Sequence, residues 1–138
     1  MSLASVMTAI AKVESTVDGV KASYDKAPSM LNRFPCFVNF PESGTIERSP
    51  SLRRTVHHVK MLLYVLKGAD LTVAEAEARP YLDSTLYAFD THMTLFGGAT
   101  TSRIVNYDYG VLTYSGQQYL GITFSLEVTE WLGMTFNS

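Results

Sequence analysis

The stretch from Tyr119 to Glu130 constrains the fold more than any other part of this chain. Alternate residues in it are apolar, and most of those between them are polar or small; the apolar set is Leu120, Ile122, Phe124, Leu126 and Val128. Because successive side chains of a strand point to opposite faces, the pattern predicts a strand with one buried face. At about 3.3 Å per residue it would run roughly 40 Å, about twice a typical strand. Such a strand favours a scaffold that pairs and assembles.

Two more long segments have the composition of strands. Arg53–Leu66 is apolar on both faces in its second half, which predicts a central strand covered by a helix on one side and by a neighbouring subunit on the other. Thr101–Tyr114 is rich in β-branched and aromatic residues, and Gly110 within it predicts a bulge or a bend. Ser115-Gly116 then predicts a tight turn into the long last strand.

A shorter β-prone region precedes these strands. Phe34–Phe40 is aromatic, and Pro41, Ser43 and Gly44 after it predict a turn at Pro41–Gly44. Thr45–Arg48 is then expected to be a separate short strand. Val20–Arg33 has the composition of a connector.

Two segments repeat apolar residues at helical spacing. The first stripe predicts a helix that Gly19 ends, and comprises Leu3, Val6, Met7, Ile10, Val13 and Val17. The second predicts a helix that Gly97-Gly98 ends, and comprises Leu82, Leu86, Phe89, Met93 and Phe96. Pro80 is expected to kink this helix or to start a second one.

The element order therefore predicts a single α+β domain spanning residues 1–138. We expect an antiparallel or mixed sheet with a long C-terminal hairpin, packed on one face by two helices. The chain is 46% hydrophobic and only 17% charged, and the low charge predicts that a partner covers some of the surface. A net charge of -2 gives no overall attraction to nucleic acid.

The residues do not predict catalysis. His57 and His58 are adjacent on a predicted strand and so diverge, and Cys36 is the single cysteine. Motifs for phosphate loops, dinucleotide turns and nucleophile elbows are absent from the sequence. We expect no metal, no cofactor and no enzymatic activity. The longest apolar run, Met61–Leu66, is far below the ~20 residues of a membrane span, so no membrane partner is expected.

Two groups of side chains are candidate contacts with other subunits or partners. The basic segment from Arg48 to Lys60 is a solvated strand end, a charged interface or a direct contact with DNA, and the interface would use Arg53, Arg54, His57 and Lys60. The acidic helix with Glu75, Glu77, Asp83 and Asp90 is its candidate opposite pole. Tyr107 and Tyr109 are candidates for a second contact, because tyrosine combines a large contact area with a polar tip.

Three segments resemble the tail terminator, or tail completion, proteins of long-tailed bacteriophages. They are the connector Gly19–Pro28, the alanine-rich and proline-interrupted helix Ala74–Phe96, and the closing pattern from Tyr107 to Phe124. The resemblance implies a structural virion protein, made in the host cytoplasm and placed in the tail or neck. It implies a homo-oligomer, a hexameric ring, that caps the tail tube protein and presents a docking surface to the head-completion or neck protein.

The same resemblance implies that DNA passes through the lumen of the ring without sequence-specific binding. Three other functions stay open at this point. One is another head–tail connector or neck protein of the same virion. The second, from a different class, is a small ligand-binding domain or enzyme, which would need a pocket joining polar groups near His57, His92 or Asp108. The third is a stand-alone nucleic-acid binder.

Overall fold

The protein, in a computed structural model that describes residues 2–67 and 71–133, forms one mixed sheet with helices on one face. The described elements are, in chain order, α1 (Leu3–Glu14), β1 (Ala22–Tyr24), β2 (Cys36–Arg48), β3 (Leu52–Lys67), α2 (Leu71–Thr91), β4 (Thr101–Tyr114) and β5 (Gln117–Gly133). The sheet order is β1-β2-β3-β5-β4, and every pair is antiparallel except β1 with β2. The predicted α+β fold with a long C-terminal hairpin is confirmed.

Helix α1 forms where its apolar stripe was predicted, but it is shorter. Ser2 caps its start, and the Ser2 hydroxyl accepts a hydrogen bond from the Ser5 backbone N–H. The helix ends at Glu14, and tight turns carry Val17, still buried, to Gly19, which adopts a positive φ of 85°. Gly19 therefore ends the turn segment rather than the helix itself.

Strands β2 and β3 form a hairpin, and the turn predicted at Pro41–Gly44 is wrong. Strand β2 continues through these residues in register with β3, with one irregularity between Pro41 and Ser43 that leaves Glu42 as an extra residue. Strand β1 ends at Tyr24 opposite Val38, so β2 is an edge strand from there on, where proline is tolerated. The chain reverses instead at Ser49–Leu52, where the two residues exchange backbone hydrogen bonds.

Helix α2 is one continuous helix with Pro80 inside it, so Pro80 does not start a second helix. It ends at Thr91, earlier than predicted, and turns follow in which the backbone is left-handed at Leu95 (φ 52°), Phe96 (φ 56°) and Gly97 (φ 87°). The helical spacing is lost there. Leu95 is consequently the fully buried residue of this segment, whereas Phe96 is exposed.

The C-terminal hairpin follows the sequence closely. Ser115 and Gly116 both have positive φ, at 49° and 80°, as a type I′ turn requires. The alternating residues of β5 are buried against the helices as predicted. The bulge predicted at Gly110 is wrong: Gly110 pairs in register with Gly121, and the register shift lies at Val105.

The two faces of the sheet are covered differently. On the face that we call the helical face, the two helices cover a core drawn from β2, β3 and β5: Phe37, Val59, Met61, Leu63, Val65, Ile122, Phe124, Leu126 and Val128. On the opposite face, the connector between β1 and β2 packs over one end of the sheet. Leu31 joins Tyr64 and Tyr119 in a second cluster, and Phe34 stacks on Tyr119 at 5.3 Å between ring centroids. At this end the second cover of β3 therefore comes from the chain itself, not from a neighbouring subunit.

The pairing of β3 with β5 depends on Gly121. A Cβ atom at this position would lie 1.9 Å from the carbonyl oxygen of Leu63, closer than any side chain tolerates. The register of β3 shifts between Tyr64 and Leu66, beside Gly121 and Leu120 of β5. The close approach of the two backbones at this irregularity accounts for glycine here.

We predict that Gly121→Ala lowers the free energy of unfolding by about 3 kcal/mol, because the methyl group forces apart two central strands. Gly110→Ala is the matched control, since Gly110 lies directly opposite Gly121 and a Cβ there meets no atom within 4 Å. The control should stay within about 0.5 kcal/mol of the parent chain. Urea unfolding followed by circular dichroism measures both, and equal stabilities would contradict this account of β3 and β5.

Candidate functional site

The outer side of β4 is the first candidate interaction surface. Strand β4 pairs with β5 from Thr101 to Tyr114, and no strand in the described part of the chain pairs with its other side. Alternate backbone N–H and C=O groups on that side therefore face outward, as on any edge strand. Folded proteins usually protect such edges with proline, lysine or bulges. Strand β4 contains neither proline nor lysine, and its register shift at Val105 leaves the stretch after it regular.

The side chains along this edge are large and exposed. Tyr107 and Val111 lie on the helical face, opposite Phe124 and Leu120 of β5, and Tyr107 is 49% exposed. Tyr109 lies between them. Burial raises the pKa of its hydroxyl, and Glu75 and Arg79 of α2 are close enough to affect that pKa as well. The structure thus places both predicted tyrosines on one exposed strand edge.

The second candidate surface is the outer side of β2 beyond Val38. Strand β1 pairs with the outer side of β2 only as far as Val38, and the described residues form no strand on that side of Asn39–Arg48. All ten residues from Phe40 to Ser49 are exposed, including Ile46 at 56%. The sequence analysis missed this edge because it placed a turn at Pro41–Gly44. The sequence could have indicated this edge: residues 43–48 and the predicted strand after Leu52 lie on either side of the short polar segment Ser49–Leu52, as the two strands of a hairpin do.

The predicted basic contact does not lie on a single face. Arg54 and Lys60 lie on the face opposite the helices, whereas Arg53 and His57 lie on the helical face. Even-numbered and odd-numbered residues of this part of β3 point to opposite faces of the sheet. Nothing in the geometry joins the four into one patch.

Carboxylates of the same sheet already face these basic side chains. Arg54 lies 3.5 Å from Glu47 and stacks over the Trp131 ring at 5.7 Å, and Lys60 lies 3.9 Å from Glu42. These pairs are solvent-exposed and contribute little stability. They do balance the positive charge of Arg54 and Lys60 locally.

His57 and Glu130 form the less exposed pair of the region. The Nε2 atom of His57 lies 2.9 Å from a carboxylate oxygen of Glu130, and both side chains are largely buried. The other Glu130 oxygen and Nε of Arg53 are buried with no hydrogen-bond partner among the described residues. This polar group closes one end of the helical-face core, so His57 is a structural residue in the isolated subunit.

The tyrosines near the hairpin turn differ from those along β4. Tyr114 and Tyr119 pack edge-on against Tyr64, with ring centroids 5.7 and 5.4 Å away, and the Tyr114 hydroxyl donates to the Pro28 carbonyl. Burial raises the pKa of Tyr64 to about 12 and that of the Cys36 thiol to about 11. These groups are core residues, as the cross-strand pairing of aromatic residues predicts.

The polar groups that an enzymatic site would need are not brought to one cavity. Asp108 pairs with Thr123 on the face opposite to His57, whereas His92 lines a groove of about 480 Å³ beside Asp83 and Tyr87. Within residues 2–67 and 71–133, no group of three or more histidine, cysteine or acidic side chains is arranged to hold a metal ion. In the same ranges no helix has the length and apolar character needed to cross a membrane.

Comparison of the whole sequence with protein-family models gives no match, and comparison with curated proteins gives none either.

Glu14 is the most deeply buried ionisable group in the described chain. It is the last residue of α1, its side chain is fully buried, and one carboxyl oxygen accepts a 2.6 Å hydrogen bond from Asn39. Burial raises the pKa of this carboxyl well above its ordinary value, and the Asn39 hydrogen bond lowers it by less. The other oxygen and Oδ1 of Asn39 have no hydrogen-bond partner among the described residues. A protonated Glu14 can supply a donor that its ionised form lacks.

We predict that ionisation of Glu14 destabilises the fold as the pH rises. Because the pKa is higher in the folded state, the folded chain binds this proton more tightly above the unfolded-state pKa near 4.5, so stability falls until the folded-state pKa is passed. Glu14→Gln cannot ionise and should lose less melting temperature than the parent between about pH 5 and pH 8.

The control for this measurement is Glu47→Gln, at an exposed carboxylate whose side chain retains 64% exposure. It should follow the pH dependence of the parent chain. Parallel melting curves for Glu14→Gln and the parent across this range would refute the burial account of Glu14.

Proposed function

We propose that this chain is a structural protein of a phage virion, a tail terminator that assembles into a hexameric ring. The ring caps the tail tube and offers the docking surface for the head-completion or neck protein. The observation that carries the proposal is a small α+β domain whose sheet leaves two long open edges, β4 and the outer part of β2. The resemblance of the connector, α2 and the closing strands to tail terminators supplies the family.

Open edges at both ends of one sheet suit an assembling subunit. Exposed apolar and aromatic side chains line both edges, including Ile46 on β2 with Tyr107 and Val111 on β4. Aromatic residues are enriched at protein interfaces and charged residues are depleted at their centres. The 17% charged composition fits a subunit with partners on several sides.

The charge distribution suits a ring through which DNA passes. The net charge is -2, and Arg54, Lys60 and Arg103 each face a carboxylate on the sheet. Tight binding to a DNA backbone would require several uncommitted basic side chains. A ring of such subunits would let DNA move through its lumen without holding it. A neck or connector protein of the same virion is the alternative, and it differs in its docking partner.

We predict that deleting the gene from its phage genome leaves filled heads separate from tails and yields tail tubes of irregular length, because nothing caps the finished tube. Electron microscopy of lysates checks this, with the gene supplied from a plasmid as the control. Normal joined particles without the gene would rule out the terminator role. Uniform tails that fail to join heads would favour the neck-protein alternative.

We also predict a ring of about 92 kDa, six copies of the 15.3 kDa chain, on tail tubes or in concentrated solution. Tyr107→Ala should weaken subunit association on the order of tenfold, because it removes an exposed aromatic contact. Tyr87→Ala is the matched control, since Tyr87 is 74% exposed but lies on α2 and not on β2 or β4. Native mass spectrometry across a dilution series compares them.

The charged contact is tested in the same way. Replacing Arg53 and Arg54 by glutamate would put a second acidic side chain beside Glu47 on one face and reverse the charge at position 53 on the other, and should weaken the ring. Unchanged oligomerisation and tail joining in this variant would exclude Arg53 and Arg54 from the interface, and unchanged association of Tyr107→Ala would exclude the β4 edge.

A further inference from the structure

The two open edges of the sheet run in opposite directions. Strand β2 is antiparallel to β3, β3 to β5, and β5 to β4, so β4 is antiparallel to β2 within the subunit. Suppose that a second copy is placed beside β4 of the first, with its strands in the same directions and its helices on the same face of the sheet. Its β2 then lies antiparallel to β4 of the first copy. This is the more stable of the two ladder types per residue.

We propose that β4 of one copy pairs with the outer side of β2 of the next copy, which joins the two sheets into one. The partner of the β4 edge is therefore a second copy of this chain, bound by backbone hydrogen bonds through strand addition. This inference rests on the proposed assembly into a ring and names the contact that would build it.

The two register shifts frame the segments that can pair. On β4 the irregularity lies at Val105, and the regular stretch begins at Asn106. On β2 it lies at Glu42, and the regular stretch runs from Ser43 to Arg48. In the proposed register Asn106 lies opposite Glu47, and Gly110 lies opposite Ser43. Each strand then contributes five regular residues, and both irregularities lie at the ends of the new ladder.

Matching faces fix this register further. Tyr107 and Tyr109 lie on the helical face of β4, and Ile46 and Gly44 lie on the helical face of β2. The register places Tyr107 opposite Ile46, an aromatic–β-branched pair of the kind that stabilises antiparallel strands. It places Tyr109 opposite Gly44, where an aromatic ring can cover the backbone of an edge glycine.

Charge disfavours one of the two neighbouring registers. On the opposite face the proposed pairing sets Asp108 against Thr45 and Asn106 against Glu47. The smallest shift that keeps the faces matched slides β2 by two residues, and in one direction it would set Asp108 against Glu47. Like charges directly opposite each other destabilise a ladder. In the other direction it would set Tyr109 against the irregularity at Glu42.

The contact is heterologous, since it uses a different surface on each copy. Each subunit keeps one β4 edge and one β2 edge, so pairing continues from copy to copy until a ring closes. Pairing of β4 with β4 of a second copy would instead stop at a dimer. The two arrangements therefore differ in which engineered cysteines become cross-linked.

The test is site-directed cross-linking of the full chain. Tyr107→Cys and Ile46→Cys are made singly and together, and treated with a mild oxidant or a short bismaleimide. Directly opposed Cβ atoms in antiparallel strands lie about 4.5–5.5 Å apart, within reach of a short bismaleimide and, at the closer end, of a disulfide, whose Cβ atoms lie about 3.5–4.5 Å apart. Cys36 is fully buried with a raised pKa, so it does not compete.

The double variant should give a ladder of products larger than dimers, and each single variant should stay uncross-linked. Tyr87→Cys combined with Ile46→Cys is the matched control and should give no ladder. A second pair, Asp108→Cys with Thr45→Cys, probes the same register on the other face of the sheet. It keeps the proposal testable if the first double variant does not fold.

Efficient dimer formation by Tyr107→Cys alone would overturn the proposal in favour of β4-to-β4 pairing. Absence of the ladder from both double variants, in concentrated protein and on assembled tails, would overturn it as well. A six-copy ring without the ladder would leave the terminator function standing. If the ladder forms, but phage from which the gene is deleted still join heads to tails normally, the terminator function is refuted and the contact between β4 and β2 stands.

Discussion

The ladder between β3 and β5 is the constraint on which the rest of the molecule depends. It joins Leu52–Lys67 to residues 119–133, and it brings the apolar residues of both strands onto one face for the helices to cover. Because these two strands occupy the centre of the sheet, their backbones have strand neighbours on both sides. The ladder tolerates an irregularity near Tyr64 only because Gly121 lets the two backbones approach each other closely.

Placing the longest strands at the centre leaves β2 and β4 at the margins, and the two margins are unequal. Strand β2 carries Pro41 and an extra residue at Glu42, both of which discourage random pairing near β1. Strand β4 has no comparable protection after Val105. An edge with one protected end and one regular stretch restricts pairing to a defined segment, and this restriction is what separates specific assembly from aggregation.

The sequence predicted those elements whose local pattern and tertiary environment agree. The alternation of β5 and the Ser115-Gly116 turn were correct because side-chain periodicity and positive φ are encoded locally. The predictions at Pro41 and Gly110 were wrong for the same reason. Both residues disfavour a regular strand by local preference, but Pro41 lies where the outer side of β2 has no neighbouring strand, and Gly110 pairs regularly with Gly121. Only the strand order of the sheet reveals these two environments.

The sheet geometry decides which of the candidate contact residues lie together. Tyr107 and Tyr109 do share an exposed edge, but the basic residues divide between faces because strand geometry separates odd from even positions. Arg54, His57 and Lys60 already face Glu47, Glu130 and Glu42, side chains brought close only by the fold. In the assembly that we propose, the information for choosing a partner would therefore lie mainly in backbone direction, register and aromatic contacts. These features are properties of the sheet, and they favour a partner built on the same sheet.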